Sequence, residues 1–283
     1  MQKTTDFILD FVISISIAIT ACVGLLQPDF YNLETENWQT QTTGQDLVNL
    51  LLIVPSLLIA SWLTLKRNSW AIMIKPGILL YITYTFTIYC FEIHYNSLFL
   101  LYCLILSLSF YRLVIFMYNN FNKIGITGTK TIATKITAFY FLIIAIFFYA
   151  LWLSEIIQSS IEGNLPKSLI NTGLFTNAVQ VMDLAFLLPG VIIVGILLLK
   201  QSYLGFLITP ALLTFFVLMD ITIATLTFIM YFNKIETNLS VVVLMALLDA
   251  FSFALLIWFL KENAPIHKIT EVKVDKKDSE ISI

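Results

Sequence analysis

Eight long apolar stretches, separated by short polar ones, run through the chain at 7–26, 47–65, 70–91, 97–117, 136–154, 181–199, 203–231 and 239–260. A helix needs about 20 apolar residues to cross the hydrocarbon core of a bilayer. The pattern therefore predicts an all-α polytopic transmembrane bundle of eight helices in a single domain spanning 1–262, followed by a disordered polar cytoplasmic tail at 263–283. Pro55, Pro76, Pro189 and Pro210 fall inside these stretches, where membrane helices tolerate them as kinks. The seventh stretch is overlong. At 1.5 Å per residue it would reach about 43 Å, so it should tilt, bend near Pro210 or project from the membrane. No convincing internal repeat and no soluble domain stand out.

Composition agrees with a lipid solvent. Hydrophobic residues make up 59% of the 283 positions and charged residues 12%, with a mean hydropathy of +0.89. A soluble domain carries about 25% charged residues, so this chain lacks the polar surface to cover a water-soluble core. The net charge of −2 says little as a total; its distribution orients the chain. With the N-terminus inside, Lys3, Lys66, Arg67, Lys75, Arg112, Lys123, Lys130, Lys135, Lys200, Lys261, Lys268, Lys273, Lys276 and Lys277 are cytoplasmic. Only Lys167 and Lys234 are outside. The positive-inside rule thus predicts both termini in the cytoplasm. The outer connections are then 27–46 and 155–180, plus short ones near 92–96 and 232–238. The first is acidic and offers Tyr31 and Trp38 to the interface. The second contains PKSLINTGLFTNAVQ, whose Leu, Ile and Phe suggest a segment lying on or dipping into the membrane.

Several chemistries lack the residues they need. Cys22, Cys90 and Cys103 lie in apolar segments without a CxxC pair, and read as small buried hydrophobes rather than redox or metal-binding thiols. With only His94 and His267, the second in the tail, a haem held by two membrane histidines is excluded. No cofactor motif is present: HExxH, GxSxG, Walker and dinucleotide glycine motifs are all absent. Neither a catalytic group nor a metal ligand set is assigned, and no basic patch points to nucleic acid. Ile19-Thr20-Ala21-Cys22 resembles a lipoprotein cleavage box, but Asp10 interrupts the apolar run and the run continues to Leu26. An uncleaved first helix is the better reading.

Ionisable groups inside a membrane are costly and usually face the bundle interior or water. Near the cytoplasmic ends, Asp10 is expected to be wet, and Lys75 and Arg112 to snorkel. The other polar groups gather in the outer half. Glu92 and His94 close the third helix, Asn96 opens the fourth, and Asp46 and Asn49 open the second. Asn177, Gln180 and Asp183 share one face leading into the sixth, and Asp220 lies in the outer part of the seventh. Asp249 falls at roughly 15 Å depth in the eighth, close to the midplane. There it must pair, protonate or border water; it serves either as a neutral hydrogen-bonded acid between helices or as a functional group. Ala246, Ala250 and Ala254 on the same helix form a small-residue stripe that argues for close packing on a neighbour. Tyr81, Thr85, Tyr89 and Glu92 share one face of the third helix, either a polar cavity wall or a source of interhelical hydrogen bonds. Pro189-Gly190 in mid-helix could open backbone groups to a substrate, or be repaired by a neighbouring helix.

EIHYNSLFLLYCLILSLSFYRL and TNAVQVMDLAFLLPG, the latter followed by LGFLITPALL, resemble segments of uncharacterised multi-pass bacterial integral membrane proteins. The resemblance covers roughly 45–230. It implies that Asn96, Asn177 and Asp183 are motif members and that the chain sits in a bacterial plasma membrane, without assigning an activity. The functional expectation is a transporter-like protein for a cation, proton or small solute, using an outward-facing acidic cavity. Its candidate pathway residues are Glu92, His94, Asn96, Asn177, Asp183, Asp220 and Asp249. The alternative is a non-catalytic assembly or sensory subunit in a homo- or hetero-oligomer; an intramembrane enzyme is third. Asn177 and Asp183 are expected to form a polar cluster with Glu92 or His94 in the outer leaflet, where the fourth and sixth helices pack together.

Overall fold

Side-chain caps at Thr35, Asn68, Thr131 and Asn177 mark where four of the helices begin. In the computed structural model, which describes residues 2–120, 128 and 131–263, α1 spans Gln2–Leu26. Thr35 then accepts a hydrogen bond from the Trp38 amide (3.2 Å) and starts α2, Glu36–Leu65. Asn68 caps α3, Ser69–Glu92, by accepting from the Ala71 amide (3.0 Å). Next come α4, Phe99–Asn120, and α5, Ile132–Glu162, which ends on Gly163 at φ 68°. The short α6, Lys167–Thr172, leads to α7, Ala178–Leu199, then α8, Tyr203–Phe232, and α9, Ser240–Asn263. All but α6 are long and apolar enough to cross a membrane, eight in total among the described residues. The expected tail lies outside the described residues from 264 onward.

Two expected boundaries move. The first outer connection is largely helical: Glu36–Val48 is polar, yet it continues without a break into the second apolar stretch. α5 also extends beyond both ends of its apolar run, so the connection expected at 155–180 begins only after Glu162. In that connection α6 has no buried residue, and Phe175 is 99% exposed.

α2 and α7 each contain one π-helical turn, Asn49–Ile53 and Asp183–Leu187. Each turn ends two residues before a proline, Pro55 or Pro189. A helical proline lacks an amide hydrogen and crowds the carbonyl four residues back. Widening the turn so that Val54 donates to Asn49 and Leu188 to Asp183 relieves that conflict within the helix. The helix around Pro189-Gly190 is therefore continuous, not broken.

The same spacing recurs elsewhere, and it corrects the reading that the chain has no repeat. Asn49, Pro55, Lys66 and Pro76 recur as Asp183, Pro189, Lys200 and Pro210, all at an offset of 134 positions. The α2–α3 turn places Arg67 at φ 59°, and the α7–α8 turn places Gln201 at φ 56°. Packing follows the same scheme. In the first half α1 packs on α2, α2 on α3, α3 on α4, and α4 back on α1. In the second, α5, α7, α8 and α9 close a ring in the same order. The halves join through α3 and α8, flanked by α2 on α8 and α7 on α3. Equivalent residues meet there, as they must beside a pseudo-twofold axis. A Cβ on Gly77 would strike the Ala211 carbonyl, and the Tyr81 and Phe215 rings lie 6.3 Å apart.

Charges near the turn end of the bundle behave differently from expectation. Asp10 is fully buried instead of wet, and Lys75 (1% exposed) and Arg112 (3%) do not snorkel. Lys75 forms an ion pair with Asp10, and Arg112 Nε donates to Asp10 Oδ1 at 3.1 Å. Ser61 donates to Asp10 at 2.8 Å, and Arg112 Nη1 reaches Asp6 at 2.8 Å. Snorkelling lowers the cost of a lone cation; two cations facing a buried carboxylate find a stronger partner inside. On α9 the stripe Ala246, Ala250 and Ala254 faces outward instead of packing on a neighbour within the chain.

Candidate functional site

A cavity of about 300 Å³ lies between the two halves. Its walls come from the ends of the helices remote from the turns carrying Lys66 and Lys200. Helical periodicity explains which side chains face it. On α2 they are Trp38, Gln41, Thr42 and Gln45, at i, i+3, i+4 and i+7. On α3 they are Tyr84, Thr85, Ile88 and Tyr89, and on α7 Val179, Asp183, Leu187 and Leu188. Phe215, Phe216, Met219, Asp220, Thr222, Ile223 and Leu226 of α8 face it too, with Phe148 and Trp152 of α5. The wall is mostly aromatic and aliphatic, with two carboxylates, and none of its side chains is basic.

Polar groups around the cavity are tied together in two networks. Asp183, on the π-turn of α7, accepts from Tyr84 Oη and from Trp152 Nε1, both at 2.8 Å. The second network centres on Asp46, fully buried, which accepts from Tyr31 and Tyr89 hydroxyls at 2.7 Å each. Burial first, and the Asp46 carboxylate beside it, push the Tyr31 phenol far above its ordinary range, so it stays a neutral donor. Asn49 accepts from Gln45 (3.0 Å), Gln45 donates to Tyr81 (3.0 Å), and Tyr81 shares a 2.6 Å hydrogen bond with Thr222. This chain crosses from α2 through α3 to α8 and so joins the halves. The hydroxyl-bearing face of α3 is thus both cavity wall, at Thr85 and Tyr89, and hydrogen-bonding surface, at Tyr81 and Tyr89.

The sequence-predicted residues divide into three groups. Asp183 and Asp220 line the cavity. Glu92 and Asn177 sit beside it, where α3 meets α7: Glu92 Oε1 accepts from the Ala178 amide, and Asn177 caps α7 by accepting from Gln180 (3.0 Å). The helices that come together here are the third and sixth spans, α3 and α7, not the fourth and sixth; α3 is the central element and α4 packs on its far side. His94 and Asn96 do not join the cavity. The His94 ring pairs with Glu34 at 3.0 Å and is half-exposed, while Asn96 accepts from the Leu98 amide (2.9 Å) as a local cap. Asp249 stands outside the cavity wall but within Coulombic range of Asp220, and one of its oxygens is buried without a partner.

Tyr84, Trp152 and Thr222 carry no signal in the sequence that marks them, and Trp38, expected at the membrane interface, lines the cavity instead. Trp38, Gln41, Thr42 and Gln45 do carry a helical period, a signal hidden by the polarity of the segment. Asp220 differs from the other carboxylates here: it is 5% exposed, and no hydrogen-bond donor or cation reaches it among the described residues. Among the described residues no three His, Cys, Asp or Glu side chains are grouped to hold a metal ion. The arrangement offers a shaped, largely apolar chamber that carries two carboxyl groups. No family model matches the chain, and neither a curated protein nor a solved structure matches it.

Proposed function

We propose that the protein is a transport-type membrane protein that accepts a small cationic solute in the cavity between its two halves. The observation that carries this reading is the cavity itself, which holds the acids Asp183 and Asp220 and no basic side chain. Solute sites of transporters built from repeats sit at the repeat interface, and this cavity has that position. The distribution of Lys and Arg supports cytoplasmic termini, and hence a cavity nearer the outer face. The likeness of residues 45–230 to multi-pass bacterial membrane proteins supports a bacterial plasma membrane. A second reading, an assembly or sensory subunit, draws on the outward Ala246, Ala250 and Ala254, a surface suited to a partner helix.

Purified protein in liposomes on a solid-supported membrane tests the proposal. Jumps in sodium, potassium, proton or small ammonium concentration should evoke currents above those of empty liposomes, and Asp183→Asn with Asp220→Asn should abolish them. Currents equal to those of empty liposomes for every cation would refute transport and leave the subunit reading.

A further inference from the structure

We infer that the cavity takes a lipophilic organic monocation, an alkyl or arylalkyl ammonium, with its charged head on Asp220 and its hydrocarbon among the aromatic rings. The inference rests on the cavity being the solute site and names the class of solute. Asp220 supplies the first argument. The chain provides partners for three other buried aspartates: Lys75, Arg112 and Ser61 for Asp10, two phenols for Asp46, and Tyr84 with Trp152 for Asp183, whereas Asp249, also without a partner among the described residues, is only partly buried. Asp220, equally buried and on the cavity wall, has none among the described residues, and the charged group nearest in effect is another acid, Asp249. An ionised carboxylate buried without a partner is costly and otherwise takes up a proton, so a cation entering the cavity would supply the pairing that the chain does not give Asp220.

The remaining wall decides what kind of cation. Divalent ions need about six oxygen ligands, whereas this wall is largely carbon, with Trp38, Tyr84, Phe148 and Phe215 among its rings. Ring faces attract ammonium heads, most strongly where both are desolvated, and the aliphatic wall favours burial of a hydrocarbon tail. Ligand sites start at roughly 300 Å³, so a cavity of about 300 Å³ suits a small arylalkyl ammonium rather than a larger amphiphile. Anions find no positive side chain on this wall.

The test is binding of phenethylammonium to the protein in lipid nanodiscs, followed by calorimetry and by fluorescence of the wall residues Trp38 and Trp152. Saturable binding is expected, with 2-phenylethanol, neutral and of similar shape, binding at least about tenfold more weakly. Asp220→Asn should weaken phenethylammonium by about tenfold to a hundredfold, the range of a hydrogen bond to a charged group. Ile223→Trp, which fills the chamber and keeps Asp220, should abolish binding and serves if Asp220→Asn does not fold. Equal affinity for the alcohol and the ammonium, or unchanged affinity in both variants, would overturn the inference. Currents carried by sodium or potassium without phenethylammonium binding would overturn it and leave transport standing. Phenethylammonium binding without currents would uphold it and remove transport.

Discussion

Replacing Asp10 by Asn probes the ion cluster that ties α1 to α3 and α4. Asp10 has no exposure and takes hydrogen bonds from Ser61 at 2.8 Å and Arg112 Nε at 3.1 Å, besides its ion pair with Lys75. Asparagine keeps the shape and removes the charge. Arg112 would still have Asp6 at 2.8 Å, but Lys75, 1% exposed, would lose its ion-pair partner and keep Asp6 only at longer range. Breaking a buried pair from one side costs about 3–5 kcal/mol, and Asp10→Asn should lie in that range. Lys75→Met leaves Asp10 paired with Arg112, so its loss should be smaller, about 1–2 kcal/mol. In the double variant no stranded charge remains, and its loss should fall short of the two single losses combined by about 1–3 kcal/mol. Unfolding in mixed micelles titrated with sodium dodecyl sulfate, followed by far-UV circular dichroism, measures all three. Losses that add within about 0.5 kcal/mol, or an Asp10→Asn loss below about 1 kcal/mol, would refute a coupled buried cluster.

Glycine substitutions separate the helix crossing from the π-turn segment: Gly77→Ala meets the Ala211 carbonyl and should lower the unfolding free energy by about 1–3 kcal/mol. Gly190→Ala meets nothing within 4 Å and should raise it by up to about 1 kcal/mol through helix propensity; a reversed order in the same titration would contradict the α3–α8 packing. Tyr31→Phe removes one of the two phenol donors to Asp46 and should cost about 1.5–3 kcal/mol, with no measurable loss if Asp46 is not buried as described. In a background without native cysteines, Asn32→Cys and Ser160→Cys should react with impermeant maleimide on intact cells and Lys66→Cys only after lysis; the opposite pattern would invert the topology.

Hydropathy alone was enough to read eight spans and an all-α class, because lipid offers backbone groups no hydrogen-bond partners and so demands helices of membrane length. That requirement acts on each segment separately, and a local count of apolar residues captures it. It fails at Glu36–Val48, a polar stretch whose helix forms against α1 and α8, neighbours far away in the chain. The repeat was legible in Pro55, Lys66 and Pro76 against Pro189, Lys200 and Pro210, yet it is obscured because aliphatic residues exchange freely on lipid-facing surfaces. Asp183 and Asp220 could be nominated from sequence as costly groups in apolar surroundings. Which acid is paired could not, since the partners of Asp10 lie 65 and 102 residues away and those of Asp183 lie 99 and 31 away. Cost of burial is a property of one residue in its segment; relief of that cost depends on which helices pack together, and only the tertiary structure decides it.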